Sequence, residues 1–241
     1  QDNAGYLQAA GLYYELSEIM ERENKDMIVN MLYVRSSLER ANESRREMEA
    51  VNVKLLKQSE TDQMTGLANR YRLNAYSEKV LDYCYEHRLP LAMEILDIDF
   101  FKQYNDNYGH QQGDECIIAI ANELKKMEDG QTFCARYGGD EFIIIYAGIS
   151  AEEVHAKAGA LRQNIMNLKL EHLYSKALPI VTISQGISYG VPEEGNRSWD
   201  FLHTADMLLY QVKKRSRNDI CIADIRGQEL DLSSKQEKVE P

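Results

Sequence analysis

The order of strand-like and helical segments predicts an α+β domain with an antiparallel sheet and flanking helices, preceded by a long helix. Three β-rich runs lie at residues 91–99, 132–146 and 180–184, and helical patterns separate them at residues 115–127 and 151–170. The middle run is interrupted by two glycines and is therefore a hairpin. The resulting order is that of the split βαβ, or ferredoxin-like, arrangement, a palm-type sheet with helices on one face.

The composition fits one globular domain with an extension, and it argues against two classes of function. Of the 241 residues 44% are apolar, and the formal net charge is −11. This charge argues against a nonspecific nucleic-acid surface and against a basic membrane-binding surface. It still allows a phosphate ligand, which needs only a few local cations.

The cysteines and the absence of targeting signals indicate a cytoplasmic protein. The 4 cysteines form no Cys-x-x-Cys pair and lie in apolar contexts, as expected for reduced core thiols rather than disulfides or zinc ligands. No apolar run has the length of a membrane span, and no signal peptide is visible. Because the sequence begins with Gln1 rather than methionine, we expect that an upstream sensory or membrane region belongs to the full-length protein.

The amino-terminal region, residues 1–60, predicts a long helix that forms a parallel coiled coil. It contains no proline and no glycine after Gly11. A seven-residue repeat and the positions four residues later form a seam that is apolar at eight of eleven places: Met20, Met27, Val34, Ala41, Met48 and Leu55, with Asn24, Met31, Leu38, Arg45 and Asn52. A repeat sustained over five heptads favours a coiled-coil dimer over a helix packed on its own domain. The polar positions can fix its register.

The globular domain is predicted to cover residues 61–226, followed by a loose polar tail at residues 227–241. It begins with a polar loop and a helix at residues 72–87. After the first strand comes a short helical turn at residues 100–106, and Asp114 is suited to cap the helix that follows.

Two further elements complete the predicted domain after the third β-rich run. They are a final helix at residues 202–215 and an edge strand at residues 219–222.

Acidic side chains are predicted to meet at one end of the sheet. Asp140 and Glu141 follow two glycines, whose place in a tight turn requires positive φ. Aspartate is a poor strand residue, so an ordinary hairpin has no need of these acids. The end of the first strand can lie beside the hairpin tip, and we expect one of Asp97 and Asp99 to face it. Asp97, Asp140 and Glu141 would then form an acidic well suited to Mg²⁺.

Basic residues that could hold phosphates occur in two places. Lys102 follows the first strand, and four cations cluster at the last helix: Lys213, Lys214, Arg215 and Arg217. Taken alone, such a cluster is typical of a solvated helix end that complements the helix dipole. Only proximity to the acidic well would make it a phosphate clamp.

Several separate blocks together resemble the GGDEF family of diguanylate cyclases over about residues 61–222. The blocks are residues 61–70, with Met64 where the family has leucine; residues 97–102, 105–106 and 109–114; the unaltered signature at residues 136–142; residues 181–186; and residues 205–218. The family resemblance implies a magnesium-dependent enzyme, with Mn²⁺ as a possible substitute, that condenses two GTP into cyclic di-GMP and two pyrophosphates. It also implies one GTP per domain, so a homodimer must bring two half-sites together through the coiled coil.

The resemblance also implies roles for individual residues. Asp97, the main-chain carbonyl of Ile98, and Asp140 would bind the metal, and Asp140 or Glu141 would help to deprotonate the 3′-hydroxyl. Asn105 and Asp114 would recognise guanine. The other implied substrate-binding residues are Phe101, Lys102, His110, Arg136, Gly138, Gly139, Lys213 and Arg217.

One feature of many family members is missing here, and other functions remain as alternatives. The R-x-x-D product-inhibition motif is absent from residues 129–132, so we predict no product inhibition through that site. A catalytically silent module that binds GTP or a cyclic dinucleotide is the main alternative. The intact signature argues against it, and Asp114 argues against an adenine-containing product.

Overall fold

The computed structural model describes residues 3–58, 60–228 and 230. The chain divides after Gln58 into a helical unit and a compact unit. Most of the predicted polar tail, residue 229 and residues 231–241, lies outside the described residues. Of the helices that the structure describes, none has a stretch long and apolar enough to cross a membrane.

The helical unit is a single helix, α1 (Asn3–Gln58), as predicted. Its predicted seam is exposed along this chain: Met27, Met31, Val34 and Leu38 are between 56% and 69% exposed. A lone helix leaves such an apolar stripe in water, where burial against a partner would be favourable. The coiled-coil pairing of α1 stays a prediction.

The compact unit is built on a five-stranded sheet in the order β2-β3-β1-β4-β5. The strands are β1 (Leu91–Ile98), β2 (Thr132–Gly138), β3 (Glu141–Ala147), β4 (Ile183–Gly190) and β5 (Ile220–Asp224). Neighbouring strands in the part β2-β3-β1-β4 of the sheet pair antiparallel, but β5 pairs parallel with β4. The sheet is therefore mixed rather than wholly antiparallel, because a helix crosses over between β4 and β5 and returns the chain in the same direction.

Helices cover both faces of the sheet, whereas the sequence predicted one face. They are α2 (Arg70–His87), α3 (Phe101–Tyr108), α4 (His110–Met127), α5 (Ala151–Asn167) and α6 (Ser198–Arg215). Alternate residues of β1 enter different cores: Ala92 and Leu96 pack with α4 and α5, while Leu91 and Met93 pack with α2. A central strand that is apolar on both sides needs cover on both sides.

Gly186 of β4 allows α6 to lie directly against the sheet. A Cβ atom at this position would come within 2.2 Å of the Ala205 main-chain oxygen and 2.3 Å of the Leu209 nitrogen. Only glycine permits this approach without displacing the helix.

A polar network is buried at the middle of β1. The fully buried Glu94 accepts hydrogen bonds from Tyr146 Oη at 2.8 Å and from Gln185 Nε2 at 2.7 Å. Burial raises the pKa of Glu94 to about 7, although both hydrogen bonds act in the opposite direction.

Candidate functional site

The signature hairpin turns one residue later than predicted. β2 ends at Gly138 and β3 begins at Glu141, so Gly139 and Asp140 form the turn. Within this hairpin only Gly139 has positive φ, at 54°, whereas both glycines were expected to need it. The strands shift register between Arg136 and Gly138, and this bulge displaces the turn. A Cβ at either glycine would meet no atom within 4 Å, so the backbone is open to a ligand.

Arg136 fastens the hairpin to the loop that opens the domain. Its guanidinium donates to the main-chain oxygen of Gly139 from Nε at 3.1 Å and from Nη2 at 2.8 Å. Its Nη1 lies 3.1 Å from Asp62 Oδ1. Although burial raises the pKa of Asp62, hydrogen bonds from Thr65 and Arg136 hold it below the ordinary value. Arg136 therefore supports the hairpin in this structure.

Acidic groups meet between the end of β1 and the hairpin. The strand register pairs Asp97 with Glu141, and Lys213 Nζ lies 2.6 Å from Asp97 Oδ2. The pKa of Asp97 is raised to about 6, mainly by burial and in part by Asp140 and Glu141, against the effect of Lys213. Burial also raises the pKa of Glu141, with Lys213 lowering it and with Asp140 and Asp206 raising it. The cluster thus combines crowded carboxylates with one ammonium group.

Asp99 does not face the hairpin acids. β1 ends at Ile98, and the buried Asp99 carboxylate accepts hydrogen bonds from Thr182 Oγ1, Ser184 Oγ and the main-chain nitrogen of Asn218. Of the two strand-end acids, only Asp97 is close to the hairpin, as expected.

The residues predicted to recognise guanine lie at the junction of α3 and α4. The Oδ1 atom of Asn105 is buried without a hydrogen-bond partner, and a Cβ at Gly113 would lie 1.8 Å from it. Asp114 and His110 are exposed on the first turns of α4. The helix begins at His110, so Asp114 lies inside it and is not its N-cap as predicted. Asn105 and Asp114 thus come from the two helices that meet at this junction.

The predicted cations divide between the site and the surface. Lys213 pairs with Asp97, and the Arg217 guanidinium lies 4.3 Å from the centre of the Phe100 ring. Lys214 instead lies over Tyr210, 4.4 Å from the ring centre.

Two residues predicted from the block after β1 differ in their surroundings. Lys102 is exposed on α3, whereas Phe101 is buried and stacks with Tyr104, with ring centroids 6.2 Å apart. Phe101 therefore contributes to the core beneath the predicted nucleotide pocket.

The donor chemistry around Asp97 fits Mg²⁺. Carboxylates and main-chain carbonyls are the oxygen ligands that this ion prefers, and Asp97, Ile98 and Asp140 can supply them. Burial is the main cause of the raised pKa of Asp97, and the neighbouring Asp140 and Glu141 add to it; a divalent cation would offset both effects. Among the described residues, no group of three acidic, histidine or cysteine side chains is already arranged to hold a metal.

Two acids near the site, Asp99 and Asp206, were not among the predicted site residues. Asp206 precedes Lys213 by two helical turns on α6, and this spacing places both on one helix face. Asp206 and Glu141 also line a cleft of about 240 Å³ together with Tyr137, Trp199 and His203. Helical spacing from Lys213 could have identified Asp206, but no local pattern reveals the contacts of Asp99.

Residues 129–132, where the product-inhibition motif would lie, are held by contacts from Lys157 on α5. Lys157 Nζ lies 2.8 Å from Asp129 Oδ2 and 2.9 Å from Thr132 Oγ1. The hydrogen bond from Lys157 lowers the pKa of Asp129 to about 2, so the carboxylate is charged at neutral pH.

Comparisons with known proteins identify the family of the globular domain. The family model described as "Diguanylate cyclase, GGDEF domain" matches residues 59–219. The chain is 35% identical over 163 residues to "Probable diguanylate cyclase DgcC" of Escherichia coli K12, covering 66% of this chain and 42% of that protein. It is 33% identical over 190 residues to "Diguanylate cyclase DgcP" of Pseudomonas aeruginosa, covering 77% of this chain and 28% of that protein. The chain thus spans less than half the length of these relatives.

A solved structure also resembles the chain beyond the globular domain. It is the coiled coil and GGDEF domain of DgcB from Caulobacter crescentus in complex with c-di-GMP, with a TM-score of 0.63 and 26% identity. The match covers 79% of this chain and 99% of that one. With the matched domain, the unaltered hairpin and the sheet order described above, this chain belongs to the GGDEF-domain family of diguanylate cyclases.

Proposed function

We propose that this chain is a diguanylate cyclase that joins two GTP molecules into cyclic di-GMP and releases two pyrophosphates. The observation that carries the proposal is the register of β1 and β3. It sets Asp97 opposite Glu141, next to the intact turn with Asp140, and Lys213 contacts Asp97. Acidic groups and a cation at one sheet end suit a reaction that deprotonates a hydroxyl beside a triphosphate.

Recognition of guanine is assigned to Asn105 and Asp114. The Oδ1 atom of Asn105 is buried against Gly113 without a partner, and it would accept a hydrogen bond from the base once the amide turns away from that glycine. The exposed Asp114 carboxylate would accept from the N1–H and N2–H₂ groups of guanine. Adenine presents no donor at N1, so the same pair of acceptors disfavours ATP.

The phosphates are assigned to Lys102, Lys213 and Arg217. Arginine can form paired hydrogen bonds to phosphate oxygens, and lysine supplies a mobile point charge. Lys213 already contacts Asp97, so it would hold phosphates next to the acids that act on the reacting hydroxyl.

In the reaction, the 3′-hydroxyl of one GTP loses its proton to Glu141, whose burial raises its pKa and makes it a stronger base than an exposed glutamate. Its oxygen forms a bond to the α-phosphorus of the other GTP, and the bond from that phosphorus to the β-phosphate oxygen breaks. The electron pair leaves with pyrophosphate, and a second identical transfer closes the ring. Asp97, the carbonyl of Ile98, and Asp140 would hold Mg²⁺, which when bound acidifies the hydroxyl and offsets the pyrophosphate charge.

The second half-site is assigned to a second copy of the chain, joined through a parallel coiled coil of α1. Each copy brings one GTP, because each hairpin offers one set of acids. The exposed apolar seam through Met31 and Leu38 supports this pairing. Asn24 and Arg45 at seam positions would set its register at some cost in stability.

Incubation of the purified chain with Mg²⁺ and either GTP or ATP, followed by mass analysis, tests the cyclase proposal. We expect cyclic di-GMP from GTP and no cyclic dinucleotide from ATP. Asp140→Ala should abolish the product, whereas Asp82→Ala, on the exposed face of α2, should leave the rate unchanged. Binding of GTP without turnover, in a chain shown to be dimeric, would refute the proposal and favour a silent binding module.

Sedimentation equilibrium tests the dimer separately. We expect the Met31→Lys and Leu38→Lys double variant to be monomeric and to lose cyclase activity. The matched control is Leu32→Lys with Tyr33→Lys, two apolar positions that are equally exposed but lie off the seam. A control that dissociates as readily as the seam variant would contradict the assignment.

A further inference from the structure

We propose that Asp99 is a positioning residue that fixes the corner between α6 and β5, so that Arg217 reaches the phosphates of bound GTP. The inference rests on the phosphate-binding role proposed for Arg217. Asp99 itself lies away from the hairpin acids and contacts no reacting group, so it would act through the corner.

The Asp99 carboxylate joins three segments of the chain. The side chain is 1% exposed, and its two oxygens accept from Thr182 Oγ1 at 2.8 Å, Ser184 Oγ at 2.7 Å and the Asn218 nitrogen at 3.0 Å. Its own main-chain nitrogen donates to the Thr182 oxygen at 2.9 Å. A buried carboxylate needs such donors, and here one of them belongs to the corner.

The corner has a backbone conformation that must be held from outside. Arg217 and Asn218 are consecutive non-glycine residues with positive φ, at 54° and 46°. Residues other than glycine rarely adopt positive φ, and they keep this conformation only where surrounding contacts hold it. Three contacts do so here: Asn218 nitrogen to Asp99, Arg162 Nη1 to the Asn218 oxygen at 2.8 Å, and Arg217 nitrogen to the Val212 oxygen at 3.0 Å.

The residue after Asp99 contacts the guanidinium itself. Phe100 also has positive φ, at 57°, and its ring lies 4.3 Å from the Arg217 guanidinium carbon. Asp99 therefore holds the backbone of the corner while Phe100 holds the end of the Arg217 side chain. Both contacts place Arg217 relative to the same segment, which continues into Lys102, the other phosphate-binding candidate.

If Asp99 only stabilises the fold, its loss should affect ligand binding differently than if it positions Arg217. Loss of structure would weaken every ligand of the site. Loss of positioning would weaken only ligands that carry the phosphates that Arg217 binds. Guanosine and GTP share the base and sugar and differ in the triphosphate, so they separate the two cases.

The test measures the dissociation constants of GTP and of guanosine, with Mg²⁺ present, for the full chain and its Asp99→Asn variant. We expect GTP to bind about tenfold more weakly, the equivalent of one lost charge-assisted hydrogen bond, and guanosine to bind equally. Tyr146→Phe is the matched control, because it also removes a buried hydrogen bond to a carboxylate in this sheet. It should change neither constant.

A double-variant comparison shows whether Asp99 acts through Arg217. Arg217→Ala should weaken GTP binding, and adding Asp99→Asn should then have no further effect. A full tenfold loss on top of Arg217→Ala, or equal weakening of GTP and guanosine, would overturn the inference and leave the cyclase proposal standing.

If Arg217→Ala does not weaken GTP binding, the phosphate-binding role of Arg217 falls, and the inference falls with it. If Asp99→Asn does not fold, as judged by circular dichroism, Ser184→Ala replaces it, because this variant removes one donor and leaves the carboxylate. We expect an effect of about threefold on GTP alone. No change in GTP binding in that variant would likewise overturn the inference.

Discussion

The buried carboxylate of Glu94 should make the stability of the domain depend on pH. Glu94 lies in the middle of β1, fully buried, with hydrogen bonds from Tyr146 and Gln185. The Oε1 atom of Gln185 has no hydrogen-bond partner. In Glu94→Gln the new amide keeps the shape, loses the charge, and can donate to that oxygen once the Gln185 amide rotates.

The magnitude follows from the pKa. A pKa raised from 4.5 to about 7 corresponds to about 3 kcal/mol, because each tenfold change in the protonation equilibrium is worth about 1.4 kcal/mol. The native state holds the proton more tightly than the unfolded chain does. Ionisation of Glu94 therefore does not lower the stability of the native state well below pH 4.5. The loss of stability grows as the pH rises and is complete above about pH 7.

The assay is urea unfolding at pH 5 and at pH 8, followed by the fluorescence of Trp199, the only tryptophan of the chain. We subtract the free energy of unfolding of the parent from that of Glu94→Gln at each pH. This difference should be about 2–3 kcal/mol larger at pH 8 than at pH 5, in favour of the variant. Glu86→Gln, on the exposed side of α2, should show no such gain. A difference in unfolding free energy between Glu94→Gln and the parent that is equal at both pH values would refute the reasoning, since it would mean that Glu94 does not titrate in this range.

Three further outcomes are expected. Arg136→Ala should lower the free energy of unfolding by about 2 kcal/mol, read from the urea midpoint, because its hydrogen bonds fasten the hairpin; Arg136→Lys should lose less. Gly186→Ala should cost more than about 3 kcal/mol or prevent folding, whereas Gly159→Ala, in α5 with its nearest neighbour 4.0 Å away, should add about 0.5–1 kcal/mol. Micromolar cyclic di-GMP should not slow the initial rate of the reaction, because Asp129 and Thr132 stand where the motif has its arginine and aspartate; strong inhibition would contradict this.

The elements that could be predicted are those with a strong local pattern. The apolar run of β1 and the Gly-Gly break of the hairpin are visible in the sequence, and so is the convergence of Asp97 with the signature acids. The position of the turn was not predictable, because a bulge after Arg136 depends on how β2 pairs with β3.

The start of α4 was missed because a tertiary contact overrides a local preference. Gly113 lowers helix propensity, so Asp114 looked like the first capping residue. In the structure the helix already runs through Gly113, because the space where its side chain would be is taken by Asn105. The glycine there serves packing between α3 and α4, and packing of that kind leaves no periodic trace in the sequence.

The close approach at Gly186 fixes the position of α6 on β4. Leu209, whose main chain touches this glycine position, lies one helical turn before Lys213. A helix cannot slide along a strand when the two backbones are already in contact, so the height of the Lys213 ammonium above the sheet is set at a residue that touches no ligand. Substitutions at Gly186, away from the site, should therefore also change nucleotide affinity.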